Sequence, residues 1–284
     1  TPQEDKRLLR LVRLGYQDLL AYERPGGGFA WFAGEPKPHL SAWALLVLRQ
    51  IGDLIYVDNQ LVERTQRAVA EPFRNPKNIL GPAENAYVAL ALLGSDPQCL
   101  AEPDKDKPWP PDLAQVRSAC KRAVQRTRDA LAVTKGVDSY ILALGADALL
   151  AAGAYYRKDG EALLDELDRR GAVVGQGTQR RVSFLPRGGT LCGSYGVPAE
   201  VEATAAVTHA LLRHGGRNDK AREALRSLLV LRDSDGGFHS TQATALALRA
   251  LLAAATAHKA TGTLQVLVDG TQVASLALDA SSTS

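Results

Sequence analysis

Glu202-Ala203-Thr204-Ala205-Ala206-Val207-Thr208-His209-Ala210-Leu211-Leu212 is a helical stretch with apolar or small residues on almost every side. The same idea recurs at Leu40-Ser41-Ala42-Trp43-Ala44-Leu45-Leu46-Val47-Leu48 and at Glu84-Asn85-Ala86-Tyr87-Val88-Ala89-Leu90-Ala91-Leu92-Leu93. It returns at Asp138-Ser139-Tyr140-Ile141-Leu142-Ala143-Leu144, and at Ser240-Thr241-Gln242-Ala243-Thr244-Ala245-Leu246-Ala247-Leu248-Arg249-Ala250-Leu251. The starts lie roughly 40 to 60 residues apart, in or just above the range of stacked helical-pair repeats. A helix that is apolar all round must be buried all round, so these segments need a second layer.

That layer lies between them. Residues 6–22 carry Leu8, Leu9, Val12, Tyr16, Leu19 and Leu20 on one face, with Lys6, Arg7, Arg10, Arg13 and Asp18 elsewhere, which is amphipathic spacing. Residues 58–70, 112–131, 157–170 and 219–232 have the same one-sided pattern. A wet helix followed by a dry one, repeated, predicts an all-α fold. The expected architecture is an α/α toroid with dry helices inside and wet ones outside; an open helical solenoid shares the repeat logic.

Start signals agree. Pro82 and Pro198 sit where a first-turn proline is tolerated, and Glu84 and Glu200 follow where acids suit the helix dipole. Ser240 is a natural N-cap. Pro25-Gly26-Gly27-Gly28-Phe29 and Asp235-Gly236-Gly237-Phe238 read as turns before the first and last dry helices, each ending in a Phe expected to plug the rim. Neither glycine run follows a strand or supplies a Lys-Ser or Lys-Thr pair, so neither is a phosphate loop.

Residues 96–112 hold Pro97, Pro103, Pro108, Pro110 and Pro111 and read as an exposed irregular loop. Residues 171–196 predict an irregular loop or a small hairpin acting as a solvent-covering flap. After His258 the pattern changes from helix to strand: Leu264, Val266 and Val268, an Asp269-Gly270 turn, then Val273, Ala274, Leu276 and Leu278. The domain division expected is therefore a toroid over residues 1–261 and the start of a following β domain, a hairpin, over 262–284.

The net charge of +3 is mild, and the basic residues are spread over wet faces, among them Arg10, Arg13, Arg122, Arg126, Arg169, Arg170, Arg222 and Arg226. No basic stripe alternates with aromatics, which argues against nucleic-acid binding. The apolar helices are too short or too interrupted to span a bilayer. The chain opens at Thr1 and has no Met, so it is expected to be a piece of a larger or processed protein.

Few reacting groups are present. His39, His209, His214, His239 and His258 are scattered, with no metal-type pair among them. His209 on a dry helix reads as a satisfied core residue. Cys192 and His239 could meet as in the zinc enzymes that share the toroid, but Thr190 stands where those need an Asp. No Gly-x-Ser-x-Gly elbow occurs, and Trp31, Trp43 and Trp109 are too few to line a carbocation pocket. No Cys-x-x-Cys pair suggests structural zinc. Cys99 and Cys120 form a possible disulfide if the parent is exported; free, half-buried thiols are the other reading.

Several of these segments resemble one family. Gly15-Tyr16-Gln17-Asp18-Leu19-Leu20-Ala21-Tyr22, Gly28-Phe29-Ala30-Trp31-Phe32 and Leu40-Ser41-Ala42-Trp43 are similar, in that order, to the thioester domain of alpha-macroglobulins and complement thioester proteins, of the bacterial alpha-macroglobulin type. Glu200-Val201-Glu202-Ala203-Thr204 resembles its "Val-Glu-x-Thr" helix. Gly236-Gly237-Phe238-His239-Ser240-Thr241-Gln242-Ala243-Thr244 resembles its "Gly-Gly-Phe/Tyr-x-Ser-Thr-Gln-x-Thr" segment, the most specific piece of a match over most of residues 5–258. The trailing strands fit as well, since such domains are inserted in a β domain.

The resemblance implies a module of a large secreted or periplasmic protease inhibitor, with proteases or other domains of the parent as partners. It implies no enzyme activity and no cofactor. The family's Cys-Gly-Glu-Gln thioester motif is absent; Cys192-Gly193-Ser194-Tyr195 has no Gln at the needed spacing, and residues 74–84 hold no His to tune acyl transfer. Five dry helices are visible where the family's ring has six. The competing expectations are a toroid enzyme of the prenyltransferase or terpenoid-cyclase type, and a helical interaction scaffold. Trp31, His39, Glu84, Tyr195, His239 and Gln242 fall near helix starts and are the candidate partner face on one rim; capping and plug packing are their alternative role.

Overall fold

The computed structural model describes residues 2–31, 34–75, 77–96, 98–104, 108–215, 217–257, 262–268 and 271–278. It contains α1 (Pro2–Leu20), α2 (Pro38–Ile51), α3 (Asn59–Ala70), α4 (Pro82–Ser95), α5 (Pro111–Leu131), α6 (Ser139–Ala151) and α7 (Arg157–Arg169). A short antiparallel pair follows, β1 (Ala172–Val174) and β2 (Arg181–Ser183), then α8 (Gly196–His214), α9 (Asn218–Val230) and α10 (Thr241–Ala257). The hairpin β3 (Gly262–Val268) and β4 (Thr271–Leu278) ends the described chain. Its expected Asp269-Gly270 turn, like His258 and Phe32, lies outside the described residues. The fold is all-α with a small β component, and each expected helix is present.

The chain divides into two compact units. The first comprises residues 1–171 and 186–195, the second 172–185 and 196–284.

In the first unit α4 lies between α2 and α6, while α3, α5 and α7 pack behind α2, α4 and α6. Burial follows this order. Every residue from Leu142 to Leu149 of α6 is buried, and so is every residue from Asn85 to Ala89 of α4. The amphipathic α5 buries one stripe, Val116, Ala119, Cys120, Ala123, Val124, Thr127 and Leu131, at helical spacing. Thr65 and Thr127 return their hydroxyls to the carbonyls of Leu61 and Ala123, which satisfies these polar groups inside the core.

Start chemistry is partly as expected. Glu84 accepts from the Gly81 amide at 3.1 Å, and Pro82 occupies the first turn of α4. Ser240 Oγ accepts from the Ala243 amide at 3.0 Å. Asp138, ahead of α6, makes no side-chain cap; it instead accepts from the Arg187 amide at 2.9 Å and holds the 186–195 segment of the same unit.

Three expectations are corrected. Within α1, Leu9, Val12, Tyr16 and Leu19 turn inward, but Leu8 and Leu20 of the expected apolar face are exposed. In the second unit, α8 is buried without a break from Val201 to Thr208, whereas α10 is not buried all round. Its Ala243, Ala247 and Ala250 stripe is buried, while Leu248 and Leu252 are 56% and 65% exposed. The reason is that α10 packs chiefly on α8 and lightly on α9, which covers its alanine stripe and leaves Leu248 largely exposed. The β1–β2 hairpin is also more than a flap: β2 packs on α9, and Val182 and Phe184 are buried.

Candidate functional site

Three dry helices carry the same kind of plug, α2 and α10 in their first turns and α8 at mid-helix. The buried backbone amide of a Phe donates to a hydroxyl in the helix it plugs: Phe29 to Ser41 Oγ of α2 at 2.9 Å, Phe184 to Thr204 Oγ1 of α8 at 3.0 Å, and Phe238 to Thr244 Oγ1 of α10 at 3.1 Å. All three rings are 2% exposed. An unpaired buried amide is costly, so each hydroxyl fixes the approach of its turn as well as satisfying a donor. The glycine runs signalled the first and third plugs. The second, Phe184 with Thr204, carries no glycine signal and was missed.

The last of these turns is tightened by Asp233. Its carboxylate accepts the Gly237 amide at 2.7 Å and the His239 amide at 3.1 Å. The His239 amide is the largest influence holding the Asp233 carboxyl below the usual carboxylate range; burial opposes it, and the Gly237 amide adds a smaller lowering. His239 takes the left-handed conformation (φ 66°), and its Nε2 lies 2.9 Å from the Leu231 carbonyl oxygen. A depressed folded-state pKa contributes stability above the unfolded value and loses it as pH falls through the folded one. Amide protection factors at Gly237 and His239 should therefore fall as pH drops below about 4. Asp233→Asn should flatten that dependence, and protection that ignores pH in the unaltered chain would remove Asp233 as the clamp.

The expected rim residues are distributed as follows. In the first unit, His39 at the start of α2 and Glu84 at the start of α4 meet, with Nδ1 and Oε1 3.5 Å apart. Trp31 is 55% exposed and stands edge-on to Tyr22, ring centroids 5.5 Å apart. Beneath it is a cavity of about 190 Å³ lined by Leu19, Tyr22, Phe29, Trp31, Leu40 and Trp43 among others. Tyr195 is exposed and covers Gly189, where an added Cβ would fall 2.7 Å from its ring. In the second unit, exposed His239 and half-buried Gln242 flank the start of α10. The structure thus joins His39 to Glu84 and sets His239 in the α10 turn.

Cys99 and Cys120 stand as buried thiols and Cys192 as an exposed one. Cys120 is pushed far up, first by a hydrogen bond with Cys99 and second by burial. Among the described residues no group of three or more His, Cys, Asp and Glu side chains is set to hold a metal ion. Among them, too, no helix is long and apolar enough to cross a membrane. His209 is half-buried on α8.

No family model and no curated protein matches the chain. Solved structures do. The Salmonella alpha-2-macroglobulin reacted with methylamine is 19% identical over 92% of this chain, with a TM-score of 0.57. The E. coli alpha-2-macroglobulin in its native conformation is 17% identical over 93% of it (TM-score 0.54), and the same protein activated by porcine elastase is 18% identical over 94% (TM-score 0.56). The chain spans 15%, 14% and 22% of those chains respectively. This likeness establishes an alpha-macroglobulin-like fold.

Proposed function

We propose that this chain is a thioester-domain-like module of an alpha-macroglobulin-type protease trap, and that it carries no thioester of its own. The observation that carries the proposal is the fold likeness over 92% of the chain to a protein of that kind, of which it spans only 15%. The Gly-Gly-Phe-His-Ser-Thr-Gln turn adds to it, because the residues of that segment build a plug and a cap on α10. In this reading the module works by presenting surface. Its partners are proteases or other domains of a larger exported protein, in the periplasm or outside the cell. In the first unit the exposed Trp31 and Tyr195 belong to the partner face, with His39 and Glu84 at helix starts of that unit; in the second unit His239 and Gln242 shape the start of α10. The β3–β4 hairpin is the start of a following β domain.

A thioester needs a Cys next to a reachable Gln acyl group. Here Cys99 and Cys120 are buried against each other, and Cys192 is followed by Gly193-Ser194-Tyr195. Methylamine treatment of the folded chain should give no mass increase and release no thiol. A gain of one methylamine together with one new thiol would contradict the proposal.

A further inference from the structure

The turn after α4 is laid against α5 by a row of side-chain contacts. Asp96 Oδ2 pairs with Arg117 Nε at 2.9 Å, and Glu102 Oε1 pairs with Lys121 Nζ at 2.5 Å. The turn itself is closed by the Cys99 amide, which donates to the Asp96 carbonyl at 2.9 Å. Between the two ion pairs lie Cys99 on the turn and Cys120 on the helix, one helical turn beyond Arg117. Both residues are 0% exposed, and Cys99 is the largest single influence raising the Cys120 thiol, which marks the two side chains as neighbours between the ion pairs. Trp109 covers the same helix face, its ring 4.2 Å from the Arg117 guanidinium and 5.9 Å from the Lys121 ammonium.

We propose that Cys99 and Cys120 are a redox pair that forms an intramolecular disulfide, stapling the proline-rich segment to α5. The oxidant is a small or protein disulfide of the glutathione or thiol-oxidase class. The two thiols give up two protons and two electrons and gain one S–S bond; the oxidant's disulfide is cleaved and leaves as two thiols. Because the folded pair is closed to solvent, the exchange belongs to the folding chain, before the Trp109 segment settles over α5. The bond closes a loop containing Pro103, Pro108, Pro110 and Pro111, so it restricts the unfolded ensemble and stabilises the folded one. This inference stands on the local geometry and is independent of the proposed trap function.

The test is refolding of the reduced full chain in a buffer of reduced and oxidised glutathione, beside a sample kept reduced. After oxidation, a tryptic peptide bearing Cys99 should be joined to one bearing Cys120, and only Cys192 should react with iodoacetamide in denaturant. The thermal midpoint should rise by several degrees over the reduced sample, and oxidant should leave the midpoint of C120S unchanged. Three reactive thiols after oxidative refolding, glutathione caps on both residues, or a link to Cys192 would overturn the proposal. Peptide mapping of the unaltered chain decides the matter even if C120S fails to fold.

Discussion

Replacing Phe238 by Ala should cost the folded chain about 3–5 kcal/mol, the range for truncating a buried aromatic side chain. Phe238 is the one aromatic residue in a buried cluster otherwise made of Val201, Ala205, Leu228, Ala243, Ala247 and Ala250. Four of those neighbours are alanines, which cannot swing into the space a lost ring leaves. The cavity should therefore persist and add its own cost to the lost transfer energy. The backbone bond from Phe238 to Thr244 remains possible in the variant, so the loss reports the ring and not the staple. Urea unfolding followed by far-ultraviolet circular dichroism measures it. Phe238→Leu, which keeps much of the volume, should cost clearly less; equal losses for Ala and Leu would show that packing is not the cause.

The second large effect is expected at the other glycine turn. Gly27 has φ +88°, and a Cβ built there would fall 2.4 Å from the Arg64 backbone carbon and 2.5 Å from its oxygen. Arg64 cannot retreat freely. Its side chain is held by Glu23 at 2.5 and 3.1 Å, and that bond, more than any other influence, raises the guanidinium pKa. Gly27→Ala therefore combines a left-handed conformation forbidden to most residues with the displacement of a helix backbone. Together these are worth about 2–5 kcal/mol. Gly26 provides the control: its φ is +93°, but an added Cβ meets nothing within 4 Å. Gly26→Ala should cost only the conformational part, about 1–2 kcal/mol. If the two variants unfold at the same urea concentration, the close approach to Arg64 contributes nothing.

Much of this fold was legible because burial on all sides leaves a plain mark in sequence. The runs at Glu84–Leu93 and Glu202–Leu212 lack a polar face, and α4 and α8 are indeed enclosed. The amphipathic run at Asp112–Leu131 buries one stripe, as its spacing required. Composition failed at α10, where Leu248 and Leu252 are exposed despite apolar surroundings in sequence. Apolar character says that a face seeks cover, but the neighbours decide whether it is covered. The plugs were read from Gly-Gly-Phe, which signals a turn, and so the Phe184 plug escaped notice, because β2 delivers it without a glycine run. Asp138, just ahead of α6, accepts from the Arg187 amide, a contact 49 residues away that no local pattern encodes.

Of the candidate face, the helix-start positions were legible and the pairings were not. His39 and Glu84 belong to different repeats, and only the packing of α2 on α4 brings them within 3.5 Å. The nearness of Cys99 and Cys120 had only their flanking helices as a hint, and the Asp96–Arg117 and Glu102–Lys121 pairs are what align them.

The trap account is tested most directly by amide hydrogen exchange in the parent protein that carries this chain, before and after a protease cuts it elsewhere. The account predicts faster exchange around the helix starts near Trp31 and Tyr195 once the cut is made, as a covered surface is released. An unchanged exchange pattern throughout these residues, in a parent fully cleaved by a protease that stays free, would contradict it.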